Sequence, residues 1–156
     1  DHHTVEDCAL ALGQALDLSA FYNYTEPEYR GALSPLLGPT PSFAYTPKTQ
    51  VGATAVLSLP QDSRGGRPSL SATYSYQSSV SYSVTGPSVV PGYSLLNLRA
   101  DWKGVMGAKV DLAAFANNLL DKKYQNFNAG FYNSIGYNVV TYGAPAMYGV
   151  EVRYHF

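Results

Sequence analysis

The first seven residues, "DHHTVED", place Asp1, His2, His3, Glu6 and Asp7 side by side, all residue types that ligate metal ions. Adjacent histidines on an extended chain point to opposite sides, so this spacing does not converge on one ion. The cluster reads as a solvated strand entry, with no metal site and no cofactor. His155 falls on the polar side of the last alternating segment, and the sequence pairs no Ser or Cys with it and an Asp. No catalytic residue is therefore assigned, and no enzyme activity is expected. Cys8 is the sole cysteine, which excludes an internal disulfide and leaves it as a small apolar strand residue.

Binding chemistry is better served by "NNLLDKKYQNFNAGFYNSIGYNVVTYGAP", in which Phe127, Phe131, Tyr132 and Tyr137 stand among asparagines. Aromatic faces beside amides form a surface that can hold a small-molecule ligand when a rigid scaffold presents them. The competing reading is a loop folded on its own aromatics. Within it, Asn117 and Asp121 read as turn-capping residues.

The scaffold that must present this loop is written in period two. In "SLSATYSYQSSVSYSV", Leu70, Ala72, Tyr74, Tyr76, Val80, Tyr82 and Val84 share one face, and serines, Thr73 and Gln77 share the other. The same alternation groups Leu16, Leu18, Ala20, Tyr22 and Tyr24, then Val51, Ala53, Ala55, Leu57 and Leu59. "YSLLNLRADW" sets Leu96, Leu98, Ala100 and Trp102 against Asn97, Arg99 and Asp101. "AKVDLAAFAN" sets Val110, Leu112, Ala114 and Ala116 against Lys109, Asp111 and Asn117. With a weaker strand near Thr4 to Leu12 and a terminal one in "YGVEVRYHF", the chain predicts about seven antiparallel strands.

Only 13% of the 156 residues are charged, against about 25% in ordinary soluble proteins, while there are 14 tyrosines. The net charge of −1 offers nothing to nucleic acid. No stretch approaches the ~20 apolar residues of a membrane-spanning helix, and "DHHTVEDCAL" has no signal-peptide pattern. Short turns near Gly13, at "PQDSRGGRP" and at "KGVMG" alternate with long connections through "EPEYRGALSPLLGPTPSFAYTP", "TGPSVVPG" and Leu119 to about Pro145. That alternation is the pattern of an up-and-down transmembrane β-barrel. A soluble sandwich also alternates, but it normally carries Lys and Glu on its wet face, where this chain has Ser, Thr, Gln and Asn. Asn97, Arg99, Asp101, Lys109 and Asp111 are expected to face a lumen, and Trp102, Tyr154 and Phe156 to form an interfacial girdle at the short-turn side.

Three motifs, "PGYSLLNLRADW", "FANNLLDKKY" and the final "YGVEVRYHF", together resemble the C-terminal end of TonB-dependent outer-membrane receptors in order and approximate spacing. They cover residues 91 to 156, and "TPKTQVGATAVL" resembles the family's proline-led strand entry. The resemblance implies a bacterial outer-membrane location in contact with lipid, and a barrel of 22 strands filled by an N-terminal plug, of which this chain is roughly the last third. It implies energised import of a scarce solute such as a siderophore-metal chelate, cobalamin or a glycan, with TonB engaged through a TonB box in the part not included. It also implies that Tyr154 and Phe156 form the signal read by the barrel-assembly machinery. The alternatives are a stand-alone small barrel acting as an adhesin or structural protein, and an outer-membrane barrel hydrolase.

Overall fold

The computed structural model describes residues 15–28, 43–82, 89–129, 131 and 135–156. The expected strand at Thr4 to Leu12, Cys8 and the "DHHTVED" cluster lie outside the described residues, as do Val84 and Tyr132.

The described chain is all-β and antiparallel. Its strands are β1 (Ala15–Tyr24), β2 (Thr49–Ser58), β3 (Arg67–Gln77), β4 (Val80–Ser81), β5 (Val89–Val90), β6 (Tyr93–Lys103), β7 (Val110–Asn117), β8 (Gln125–Ala129), β9 (Val139–Tyr142) and β10 (Met147–Tyr154). Six of them form one sheet in the order β1-β2-β3-β6-β7-β10, and β4-β5 and β8-β9 form two small hairpins. These six are the expected strands that lie within the described residues. No helix among the described residues is long and apolar enough to cross a membrane.

Register turns the alternation of each strand into two continuous faces. Leu18, Ala55, Ala72, Leu98, Ala116 and Tyr148 follow one another across the sheet as partners. The next row on the other face runs Ser19, Thr54, Thr73 and Asn97. Every charged residue of the six strands, Asp17, Arg67, Arg99, Asp101, Lys103, Asp111, Glu151 and Arg153, falls on the second face. The first face is apolar throughout, except for Thr49 and Ser94 at its end.

The apolar face is not a core. Tyr148, Val150 and Val152 are 67%, 74% and 68% exposed, and Leu16, Leu18, Tyr22, Leu70 and Leu98 are exposed with them. Among the described residues only Val80, Val90 and Ala113 are buried hydrophobics, and of these only Ala113 belongs to the six-stranded sheet. The β-ladder therefore holds the sheet, without a second layer packed on it.

Two expected boundaries need correction. The alternating stretch from Ser69 to Val84 is not one strand, because β3 stops at Gln77. There Ser78 N–H donates to the Thr49 carbonyl at 2.9 Å, and Thr49 N–H donates to Ser78 Oγ at 3.0 Å, closing the ladder where β2 begins. Val80 instead pairs with Val90. The connection after Leu119 is likewise not a plain loop, since it carries the β8-β9 hairpin.

Mid-strand glycines on the polar face have a positive use. Gly52 is the register partner of Phe21, and Gly149 of Phe115. In each case the partner ring lies where a Cβ would stand, so the aromatic side chain lies over the bare backbone of its neighbour. Gly149→Val is expected to evict the Phe115 ring and destabilise the sheet by about 1–3 kcal/mol, as overpacking does. Denaturant unfolding of Gly149→Val and of the double variant with Phe115→Ala checks this, since the second change should recover part of the loss.

Candidate functional site

The connections sort to two rims. Residues 59–66 and 104–109 make the short turns at one rim, while residues 25–48, 78–92 and 118–146 make the long connections at the other.

At the long-connection rim the three segments meet. Tyr45 N–H donates to the Ser81 carbonyl at 2.8 Å, beside a parallel bridge between Ala44 and Ser81. The Tyr82 ring stands edge-on to Tyr45 with centroids 4.9 Å apart, and edge-on to Phe127 at 5.5 Å. Its hydroxyl also donates to the Asn126 carbonyl. One tyrosine thus joins all three connections, and edge-to-face pairs of this kind contribute about 0.5–1.5 kcal/mol each. Val80, Val90 and Asn128 are buried here, with Val90 only 1% exposed. Phe131 and Tyr137 lie exposed in the link between β8 and β9, and Tyr142 is exposed at the far end of β9, opposite Gln125. Phe127 is therefore partly exposed and also packed against another connection through Tyr82, which in turn packs on Tyr45. Neither tyrosine was singled out as a site residue: Tyr82 falls in phase with β3 and reads as part of it although it lies beyond its end, and Tyr45 comes from a distant connection.

The root of this hairpin is set by Asn118, which is 4% exposed and adopts a left-handed φ of 50°. Its N–H donates to Asn97 Oδ1 at 2.8 Å, its Nδ2 donates to the Lys122 and Ala144 carbonyls at 3.0 Å, and its Oδ1 accepts from Lys122 N–H at 2.9 Å. Asp121, also left-handed, accepts from Ala146 N–H at 3.0 Å. Asparagine and aspartate tolerate this conformation better than other non-glycine residues. Asp121 thus has the expected turn role, whereas Asn118 rather than Asn117 is the principal cap. The pair "NN" followed by "D" was the signal, and parity alone did not say which asparagine leaves the strand.

The polar face carries a charge network towards the short-turn rim. Arg99 Nε donates to Asp101 Oδ2 at 3.0 Å, and its terminal nitrogens reach Glu151 Oε1 and Oε2 at 3.3 and 2.9 Å. This fork spans from β6 to β10 over small, buried Ala113. His155 Nε2 lies 2.7 Å from Asp111 Oδ2, and Asp111 Oδ1 accepts from Gly104 N–H at 2.8 Å. Asn97, Arg99, Asp101 and Asp111 therefore share the expected face. Lys109 precedes β7 in the turn, where its carbonyl accepts from His155 N–H at 2.9 Å. Glu151 was not singled out from the sequence, and only register brings it to Arg99.

Trp102 and Tyr154 lie on the apolar face at the short-turn rim, and the Phe156 ring stands edge-on to Tyr154 at 5.2 Å, fully exposed. Trp102 Nε1–H donates to Asp62 Oδ2 at 3.0 Å, while Asp62 Oδ1 accepts from Arg64 and Gly66 N–H at 2.8 Å. The Gly66 backbone bond, with help from Arg64 and Trp102, holds the Asp62 carboxyl below its ordinary range. A second aromatic row, Tyr22, Tyr24, Tyr74, Tyr76 and Tyr148, lies on the same face towards the other rim.

No protein family, no curated protein sequence and no solved structure matches the chain.

Asn118→Ala should cost about 2–4 kcal/mol, because it strips several buried hydrogen bonds and leaves their partners unpaired. Thermal unfolding beside Asn117→Ala, expected to cost less, measures the difference. Asp62 generates a pH test with a definite sign. Its folded pKa is lowered, so its contribution is complete above the ordinary value of 3.8 and is lost as pH falls through the depressed one. Trp102 is the sole tryptophan, and its emission should change on acidification in the wild type by a component that Asp62→Asn abolishes.

Proposed function

We propose that this chain is part of the C-terminal barrel region of a TonB-dependent receptor of the bacterial outer membrane, working in energised import of a scarce solute. The observation that carries the membrane reading is the uncovered apolar face. It runs through all six strands without a charge, stays exposed, and faces away from every ionic side chain of the sheet. A soluble monomer rarely leaves an apolar patch beyond a few hundred Å² in water, and a sandwich covers such a face with a second sheet. Lipid supplies the cover.

Further features fit the same environment. The two aromatic rows flank the apolar band, as interfacial girdles do; Tyr148 and Tyr154 on β10 stand about 20 Å apart at ~3.3 Å per residue, near the ~25 Å height of such bands. The outer edges of β1 and β10 pair with no described strand. In lipid each unpaired backbone group costs several kcal/mol, which favours a larger barrel whose other strands take up those edges. The receptor reading adds the three motifs of the last 66 positions, residues 91 to 156, and the cluster of long connections at one rim. Arg99, Asp101, Asp111 and Glu151 then line the lumen.

Leu98→Arg in the full-length protein should lower folding free energy by about 2–4 kcal/mol if position 98 lies near the midplane, with Thr73→Arg, on the other face, costing far less. Heat-modifiable mobility of the outer-membrane fraction reports the folded share. Equal losses for the two variants remove the membrane reading. Solute accumulation that persists undiminished in cells lacking TonB removes the receptor reading while leaving the barrel.

A further inference from the structure

The two short turns, residues 59–66 and 104–109, are joined by an unusual side-chain pair. Arg64 Nη1–H donates to Met106 Sδ at 3.3 Å. The backbones approach at the same place, since the Arg64 carbonyl oxygen lies 2.5 Å from where a Cβ on Gly107 would stand. Asp62, on the first turn, is tied to Trp102 at the end of β6. The turns are therefore held side by side by contacts other than the one to sulfur.

That contact matches a strong donor with a poor acceptor. A thioether sulfur accepts only weakly, whereas the guanidinium presents a charged fork of N–H groups. Among the described residues no carboxylate forms an ion pair with Arg64. Turn geometry does not account for the methionine either, because Met106 has a left-handed φ of 52°, where Gly or Asn is the ordinary choice. Met106 is 56% exposed, so a dissolved oxidant reaches it. Met147, the other of the two methionines, is 44% exposed at the start of β10, and no arginine or lysine donates to it among the described residues.

We propose that Met106 is an oxidation site whose sulfoxide is captured by Arg64, so that oxidation tightens the joint between the two short turns. A peroxide supplies the oxygen. The sulfur lone pair attacks one peroxide oxygen, the O–O bond breaks as the S–O bond forms, sulfur gives up two electrons, and hydrogen peroxide leaves as water. Methionine sulfoxide is polar, and its formation ordinarily disrupts the contacts around a methionine. At position 106 a cation already stands beside the sulfur, and the new oxygen accepts a charge-assisted hydrogen bond in place of a weak one. The site needs only the two turns, neither a lipid nor a solute.

The test is hydrogen–deuterium exchange of the full-length protein, folded in detergent, before and after treatment with dilute hydrogen peroxide. Peptide mass spectrometry reports which methionine has gained an oxygen. Once Met106 is oxidised, amides of residues 59–66 and 104–109 should exchange more slowly by about threefold, because local opening must now break a stronger link. Arg64→Leu should abolish the slowing while Met106 still takes up oxygen. Met106→Leu, which keeps Met147, should leave both turns indifferent to peroxide. Heat-modifiable mobility confirms that the variants fold, and the wild-type comparison stands without them. A Met106 that resists peroxide in the folded protein overturns the proposal. So does exchange that is unchanged or faster after oxidation, or slowed equally in either variant.

Discussion

Backbone pairing in an unbroken six-strand ladder is the constraint on which everything else in this molecule rests. With almost no buried side chains in the sheet, the hydrogen bonds between strands must supply the cohesion that packing supplies elsewhere. Pairing is also what lines up the alternation of separate strands into two faces of opposite character. In the proposed membrane setting the ladder gains strength, because no water competes for its N–H and C=O groups.

Side-chain packing is concentrated where the ladder ends. At one rim Tyr82 ties three connections together above buried Val80 and Val90, and Asn118 ties the exit of β7 to the entry of β10. At the other, the Trp102 indole is held by Asp62 of the neighbouring turn, and Arg64 Nη1 reaches Met106 Sδ at 3.3 Å, linking the two short turns. Long connections normally move more than the strands they join. These share a small core, which is how a surface built from loops can keep a shape.

The strands were legible because period two is a local property. Leu96, Leu98, Ala100 and Trp102 needed no knowledge of their neighbours to be grouped. Strand ends were not legible, since alternation runs on through Ser79 to Tyr82 although the partner strand is exhausted at Thr49. The candidate site was legible in part. Phe127, Phe131 and Tyr137 could be read from a dense aromatic stretch, but Tyr45 and Tyr82 arrive from distant segments. Likewise Arg99 and Asp101 declare themselves two residues apart, whereas Glu151 joins them only through the register of two intervening pairings.

The two sets of glycine–aromatic partners bear on how such a sheet avoids assembling wrongly. Slipping β10 by one residue against β7 would carry Glu151 to the apolar face, so polarity rejects every odd error. A slip of two residues keeps polarity intact and escapes that check. It would, however, move Phe115 from Gly149 to a position opposite Met147 or Glu151, whose side chains occupy the space that the ring requires. Phe21 and Gly52 pose the same obstacle between β1 and β2. Polarity and shape therefore act as two independent parity checks on one alignment, the first catching single displacements and the second catching double ones.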